Sequence, residues 1–330
     1  MLSEDLTSGP PIEAVRALRA SLRDWILETP VMRCSNLERR YGLNAEVWGK
    51  LEFLQQTGTF KPRGALSVIL SLDEAQRAAG ITAVSAGNHA IAASFAARAV
   101  GVSAKVVMIR SASPIRIEAC RSYGAEVVLA DDVHAAFEMV EQISAQEGRY
   151  FVHPFEGPKV AAGTATVGLE ICEQIGAFDA LIVPIGGGGL CAGISSAVKQ
   201  LNPGCHIIGV EPEGADSMHR SFANGRAEKI DQVSTIADSL GSPFAMDYSY
   251  SLCRDNVDEL VKISDDEMGV AMGVLFSDMK FAVEPACAAT TAALAGPLRN
   301  RFAGKKVVLV FCGSNIDWMN YQKHAVLSAC

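Results

Sequence analysis

Residues 183–194 read VPIGGGGLCAGI. Four glycines in succession, Gly186, Gly187, Gly188 and Gly189, follow the apolar run DALIVPI and lead into a segment of helical spacing. DALIVPI is too continuously apolar to leave one face in water, which suits a parallel strand covered on both sides. Backbone without side chains can approach an anion closely, and a helix N-terminus adds its dipole. The stretch therefore predicts a strand, an anion-binding turn and a helix, the repeating unit of an α/β fold.

The same alternation runs outward in both directions. Downstream, CHIIGVE and KKVVLVF are further buried-strand runs. Upstream, AEVWGKLEFL, ITAVSAG, AKVVMI and AEVVLAD read as strands. Between and around them, PIEAVRALRASLRDWIL, NHAIAASFAARAVG, SPIRIEACRSYG and VHAAFEMVEQISAQEG read as helices, with Gly101 closing the second of these. Strand–helix alternation of this kind predicts mainly parallel sheets flanked by helices. The units between Ala79 and Gly148 suggest a small α/β domain at residues 76–152, inserted into a larger one built from 1–75 and 153–330.

Composition narrows the function. The chain has 330 residues, 49% of them hydrophobic, and a formal charge of -8. An acidic chain is a poor partner for nucleic acid or an anionic membrane surface. No apolar run reaches the length of a membrane span. The opening MLSEDLTSGPPIEAVR lacks the pattern of a signal peptide. Nine cysteines without a C-x-x-C pair point to free thiols in a reducing, cytoplasmic setting, and do not indicate zinc.

Three further stretches could carry chemistry. SAGNHA, Ser85–Ala90, lies at a strand-to-helix junction, the edge where α/β proteins bind ligands. Asn88 there reads equally well as a helix cap. FCGSN, Phe311–Asn315, follows the strand KKVVLVF and places Cys312 at its end. TGTFKPRGAL, Thr57–Leu66, sets Lys61 before Pro62, which biases it away from helical backbone, with Gly58 and Gly64 on either side. A lysine amine becomes a nucleophile when its pKa falls or when it is tied up as a Schiff base. The glycine run itself admits two readings. Gly187, Gly189 and Ala192 satisfy G-x-G-x-x-A, and Glu211 ends the next strand as a candidate ribose ligand, which describes a nicotinamide enzyme. A single phosphate would be held by the same physics.

Taken in order, TGTFKPRGA, SAGNHA, GGGGL and CGSN resemble the serine/threonine dehydratase family of pyridoxal-phosphate enzymes, fold type II, shared with the tryptophan synthase β-subunit. The resemblance implies that Lys61 forms the Schiff base with pyridoxal 5'-phosphate and later moves the substrate's α-proton. It implies that Phe60 packs on the cofactor ring and that Asn88 bonds its ring oxygen. Gly186, Gly187, Gly188, Gly189 and Leu190 would hold the phosphate, and Cys312 would face the pyridine nitrogen. Ser85, Ala86, Gly87, Asn88 and His89 would form the loop that receives the substrate carboxylate. The implied reaction is β-elimination of an L-β-hydroxy amino acid of the threonine or serine type, giving a 2-oxo acid and ammonia. Relatives imply a homo-oligomer, dimer or tetramer.

Cys312 and Ala86 refine the expectation. A neutral thiol cannot keep a proton on the pyridine nitrogen, which favours elimination over transamination. Serine racemase carries a serine where this chain has Ala86, so racemisation is expected to be minor. EPEGADSM matches the divalent-cation loop of some relatives through Glu211 and Ala215, but Ser217 stands where the second carboxylate is expected and Asp216 is one residue early. GTATVGLEI, from Gly163, differs from the usual threonine dehydratase loop and resembles the dehydratases of hydroxyectoine utilisation, which offers a hydroxyectoine-derived hydroxy amino acid as an alternative substrate. DDVHAAFEMV lacks the arginine expected of dicarboxylate-using relatives. Few residues follow CGSN, so no added regulatory domain is expected. Two other classes, an NAD-dependent oxidoreductase and a catalytically inactive binding protein, leave Lys61 or its setting unexplained.

Overall fold

The computed structural model describes residues 8–327. Ten strands form two sheets: β1 (Val31–Arg33), β2 (Glu46–Leu51), β3 (Ile81–Val84), β4 (Ala104–Ile109), β5 (Glu126–Ala130), β6 (Tyr150–Phe151), β7 (Ala180–Pro184), β8 (His206–Pro212), β9 (Glu259–Ile263) and β10 (Lys306–Phe311). The larger sheet has the order β1-β2-β10-β7-β8-β9 and the smaller β5-β4-β3-β6. Every pairing is parallel except β1 with β2. The architecture is a mixed α/β fold with parallel sheets flanked by helices. No helix among the described residues is long and apolar enough to cross a membrane.

The central strands obey the both-faces-covered rule. Ala180–Pro184 is buried at every position, and β10 at all but its first. The edge strands β1, β6 and β9 carry no continuous apolar run in the sequence; they are short, and most of their residues are half-buried or exposed. AEVWGKLEFL is a strand only as far as Leu51, where a 3₁₀ turn, Glu52–Leu54, takes over.

All four strands of the smaller sheet fall within residues 76–152. Its core nevertheless reaches outside that stretch. Leu22, Ile26, Leu66 and Ile69 pack with Ile81, Ala83 and Val106. Leu66 and Ile69 lie on the helix Lys61–Leu70, buried from Pro62 to Ile69. That helix is therefore held between the two sheets' cores, with Lys61 at its first position.

Candidate active site

The helix that begins at Lys61 has Phe60 as its N-cap and no side-chain cap. Pro62 is tolerated because the first helical N–H groups lack intrahelical partners anyway. The expected bias of Lys61 away from helix is overridden at this terminus. Gly58 adopts a φ of +72, and a Cβ there would sit 2.8 Å from the Asn315 side-chain oxygen. The Lys61 amine is half-buried, donates to the Pro154 carbonyl at 2.6 Å and lies 5.1 Å from the Phe60 ring centre. Burial lowers it to about 8, against the opposing pull of Glu284.

One cavity is lined by Lys61, Phe60, Asn88, Gly186 to Gly189, Leu190 and Cys312. Four sequence-distant motifs thus meet at one place. The glycine run is needed for close approach. A Cβ on Gly187 would lie 2.4 Å from the Phe155 ring, and one on Gly189 would lie 2.2 Å from the Phe155 carbonyl oxygen. Gly188 has a φ of +96. The helix Gly189–Leu201 starts there, so its dipole points into the cavity mouth of the turn. The Cys312 thiol is pushed well above its usual range by its hydrogen bond with Cys287 and by burial, so it stays neutral. The eight cysteines among the described residues are all free; Cys330 lies outside them.

Asn88 is not the helix cap. Gly87 takes that position, and Asn88 is the first residue of the helix Asn88–Ala99. Its amide nitrogen donates to Glu284 (2.9 and 3.1 Å) and to the Ser239 hydroxyl (3.0 Å), and its oxygen accepts from the Asn315 amide at 2.9 Å. Glu284 is buried, which raises its carboxyl pKa. His89 turns away from charge chemistry: its Nε2 lies 2.8 Å from the Val152 carbonyl, and burial plus the nearby Lys61 hold it down at about 3. The Ser85 hydroxyl accepts the Gly87 N–H at 3.1 Å.

A second cavity of about 260 Å³ opens from the first, sharing Lys61, Asn88, Phe155 and Gly187. Ser85, Ala86, Gly87, Asn88 and His89 line it. Val84, Val107, Ile109, Ala136, Phe137 and Phe244 give it an apolar lining. Phe244 meets Phe155 and Phe137 at ring-centre distances of 5.9 and 6.5 Å. Arg116 also lines the cavity, pairing with Asp238 and donating to the Asn315 carbonyl.

Glu211 is not available to a ribose. Its buried carboxylate accepts the N–H groups of Met218 and His219 at 2.8 Å each and pairs with the His219 ring at 2.6 Å. The strand–glycine–helix turn is present, but the acid the dinucleotide reading requires is already satisfied. The same engagement bears on the cation expectation. Ala215 is buried, Asp216 pairs with Arg220 and Lys262, and no cluster of three metal-ligating side chains exists among the described residues.

Sequence reasoning missed Glu284, Ser239, Arg116 and the aromatic wall. Glu284 stands at a cap position before Pro285 and reads as an ordinary helix start. Chemically, the arrangement offers an amine of lowered basicity, a side-chain-free turn at a helix N-terminus and a neutral thiol, all facing one cavity. These residues fit a phosphate ester that carries an aldehyde on an aromatic ring.

The comparisons with known proteins agree. The model of the pyridoxal-phosphate dependent enzyme family matches residues 22–313. The chain is 54% identical to phenylserine dehydratase of Ralstonia pickettii over 98% of its own length and 99% of that protein's. It is 38% identical to L-threonine ammonia-lyase of Thermotoga maritima, over 93% of this chain and 76% of that one. The structure of maize serine racemase superposes with a TM-score of 0.90 at 30% identity, covering 96% of each chain. With a lysine, a glycine turn and a neutral thiol gathered at one cavity, and with the family model spanning most of its length, the chain belongs to the pyridoxal-phosphate dependent enzymes, among their serine/threonine dehydratase-like ammonia-lyases.

Proposed function

We propose that the chain dehydrates and deaminates a β-hydroxy amino acid bearing an aromatic group on Cβ, of the phenylserine type, to give a 2-oxo acid and ammonia. The observation that carries this reading is the apolar wall of Val84, Val107, Ile109, Ala136, Phe137 and Phe244 in the cavity that Lys61 shares. Its volume of about 260 Å³ exceeds the roughly 150 Å³ of apolar space that suffices to hold benzene. The cavity's one arginine, Arg116, is occupied by Asp238 and Asn315, so a second substrate carboxylate finds no free guanidinium there. The similarity to phenylserine dehydratase supports the same substrate class.

Pyridoxal phosphate supplies an electron sink for Cα when bound. Lys61 would hold it and then carry the α-proton, for which an amine near neutrality is suited. Gly186 to Gly189 and Leu190 would seat the phosphate, Phe60 would pack on the ring, Asn88 would face its oxygen and Cys312 its nitrogen. The Ser85–His89 loop would take the substrate carboxylate. The β-hydroxyl departs as water, and hydrolysis of the eliminated product returns one water, leaving a 2-oxo acid and ammonia. Threonine, serine and a hydroxyectoine-derived hydroxy amino acid would leave the aromatic wall unfilled.

The test is ammonia and 2-oxo acid release from L-threo-phenylserine, L-threonine, L-serine and L-threo-3-hydroxyaspartate by the purified protein. Phenylserine is expected to give the highest kcat/KM. A clear preference for threonine or serine would remove the aromatic reading while leaving the reaction type. A protein showing no visible cofactor band that borohydride bleaches, even after added pyridoxal phosphate, would remove the role given to Lys61.

A further inference from the structure

We propose that Arg63, locked in a buried tetrad with Lys50, Glu52 and Glu170, is the positioning residue that aims Lys61.

Four charged side chains, two of each sign, sit within the protein with at most 1% of their surface exposed. They come from four elements: Lys50 from β2, Glu52 from the 3₁₀ turn that follows, Arg63 from the first turn of the lysine-bearing helix, and Glu170 from the helix Pro158–Ile175. Arg63 donates to Glu52 at 2.8 and 2.9 Å and to Glu170 at 2.6 and 2.8 Å. It also reaches the Thr166 hydroxyl at 3.0 Å and the Leu27 carbonyl at 3.2 Å. Lys50 completes the set, bonding Glu170 at 2.5 Å and the Thr29 carbonyl at 2.6 Å.

Helix stability does not account for this arrangement. A cation in the first turn opposes the helix dipole. Nor does burial of ion pairs, since well-packed apolar replacements are often as stable or more so. What a forked guanidinium between two carboxylates supplies is fixed geometry. Here it is supplied two residues from Lys61, at a helix end that lacks a side-chain cap. Helix ends fray, and an amine that must meet a ring-borne aldehyde tolerates little displacement. The tetrad is built to act through position and not through charge: two cations and two anions pair with one another and sum to zero.

The test compares three variants: Arg63→Lys, Arg63→Met, and the charge-neutral pair Arg63→Met with Glu52→Gln. Each is measured for Tm, for the rate at which the cofactor-free protein captures added pyridoxal phosphate, and for kcat per mole of bound cofactor. Capture is read from growth of the borohydride-sensitive band, so it needs no substrate and does not depend on the aromatic reading above. The neutral pair is expected to keep its Tm while capture slows about tenfold or more and kcat falls with KM unchanged. Arg63→Lys, which keeps the charge but not the fork, is expected to fall between it and the parent. Parental capture and kcat in the neutral pair would overturn the proposal. So would failure of that pair to fold, or activity losses that simply follow Tm, because either would make the tetrad a stability element. Should Arg63→Met alone not fold, the other two variants decide.

Discussion

The side-chain amide of Asn88 donates to both oxygens of the buried Glu284 carboxylate, at 2.9 and 3.1 Å, while the Asn315 N–H reaches Oε2 at 3.0 Å. Asn88 comes from the helix after β3 and Glu284 precedes the helix Pro285–Ala295, so this contact joins the smaller sheet to the larger at the cavity. It also settles which way the Asn88 amide faces. Glu284→Gln would set an NH₂ group against one of these donors. A lost hydrogen bond to a charged group is worth about 1.5–3 kcal/mol. We expect kcat to fall by roughly tenfold to a hundredfold, with weaker cofactor retention, measured by steady-state kinetics and by dialysis. Unchanged kinetics would show that Asn88 holds its orientation without Glu284.

The Lys61 amine, lowered by burial to about 8, should titrate in the cofactor-free protein. Only the unprotonated amine attacks an aldehyde, so capture of pyridoxal phosphate should speed up as pH rises through 8 and level off above it. An amine in water, near 10.5, would still be accelerating at pH 9. Stopped-flow absorbance across pH 6–10 distinguishes the two. Lys61→Ala should capture nothing on this route and show no turnover.

The site was legible where local chemistry announces itself. Lys61 between Phe60 and Pro62, and four glycines after a buried strand, are patterns within a few residues of one another. Glu284 was not legible, because an acid before a proline at a helix start is what an ordinary terminus looks like. The aromatic wall was not legible either: Phe137 lies on a helix, Phe155 and Phe244 in loops, and only tertiary folding joins them. The same holds for Lys50 and Glu170, 120 positions apart. The edge strands were missed for a different reason. ELVKI is half-buried along most of its length, so it carries neither a continuous apolar run nor a clean alternation.

The aromatic wall makes a size prediction. Ala136 is 1% exposed and lines the same cavity as the Ser85–His89 loop. Ala136→Leu would fill the space assigned to the substrate ring. We expect kcat/KM for phenylserine to drop by about tenfold or more, with threonine turnover preserved. Phe137→Ala removes one aromatic partner, worth about 0.5–1.5 kcal/mol beyond area burial, and should lower phenylserine kcat/KM by about tenfold. Equal losses on threonine and phenylserine in both variants would place the ring elsewhere.

Gly189 tests the phosphate turn. A Cβ there would lie 2.2 Å from a backbone oxygen, which no side-chain rotation can relieve. Overpacking of this kind costs about 1–3 kcal/mol. Gly189→Ala should therefore lower Tm by several degrees and release cofactor more readily. Gly204, whose Cβ would meet nothing within 4 Å, provides the control. Gly204→Ala should change neither property, and a Gly189→Ala protein indistinguishable from it would show that the turn can shift freely.

His153 makes the acid side of the stability curve predictable. Its Nδ1 accepts the N–H groups of Phe155 and Glu156 at 3.3 and 2.9 Å, and burial with the nearby Lys61 holds it down at about 4. His89 is lower still, at about 3, for the same two reasons. In the unfolded chain both return to about 6.5. Between these values the unfolded state binds more protons, so the two histidines' contribution to stability is complete above pH 6.5 and is lost as the pH drops below it. The slope approaches about 1.4 kcal/mol per pH unit for each histidine. Urea midpoints should therefore decline from pH 7 to pH 5. His153→Asn keeps a side-chain acceptor for the Phe155 and Glu156 amides but cannot titrate. Its decline should be the shallower of the two, whereas parallel curves for parent and variant would mean that His153 is protonated as easily in the fold as outside it.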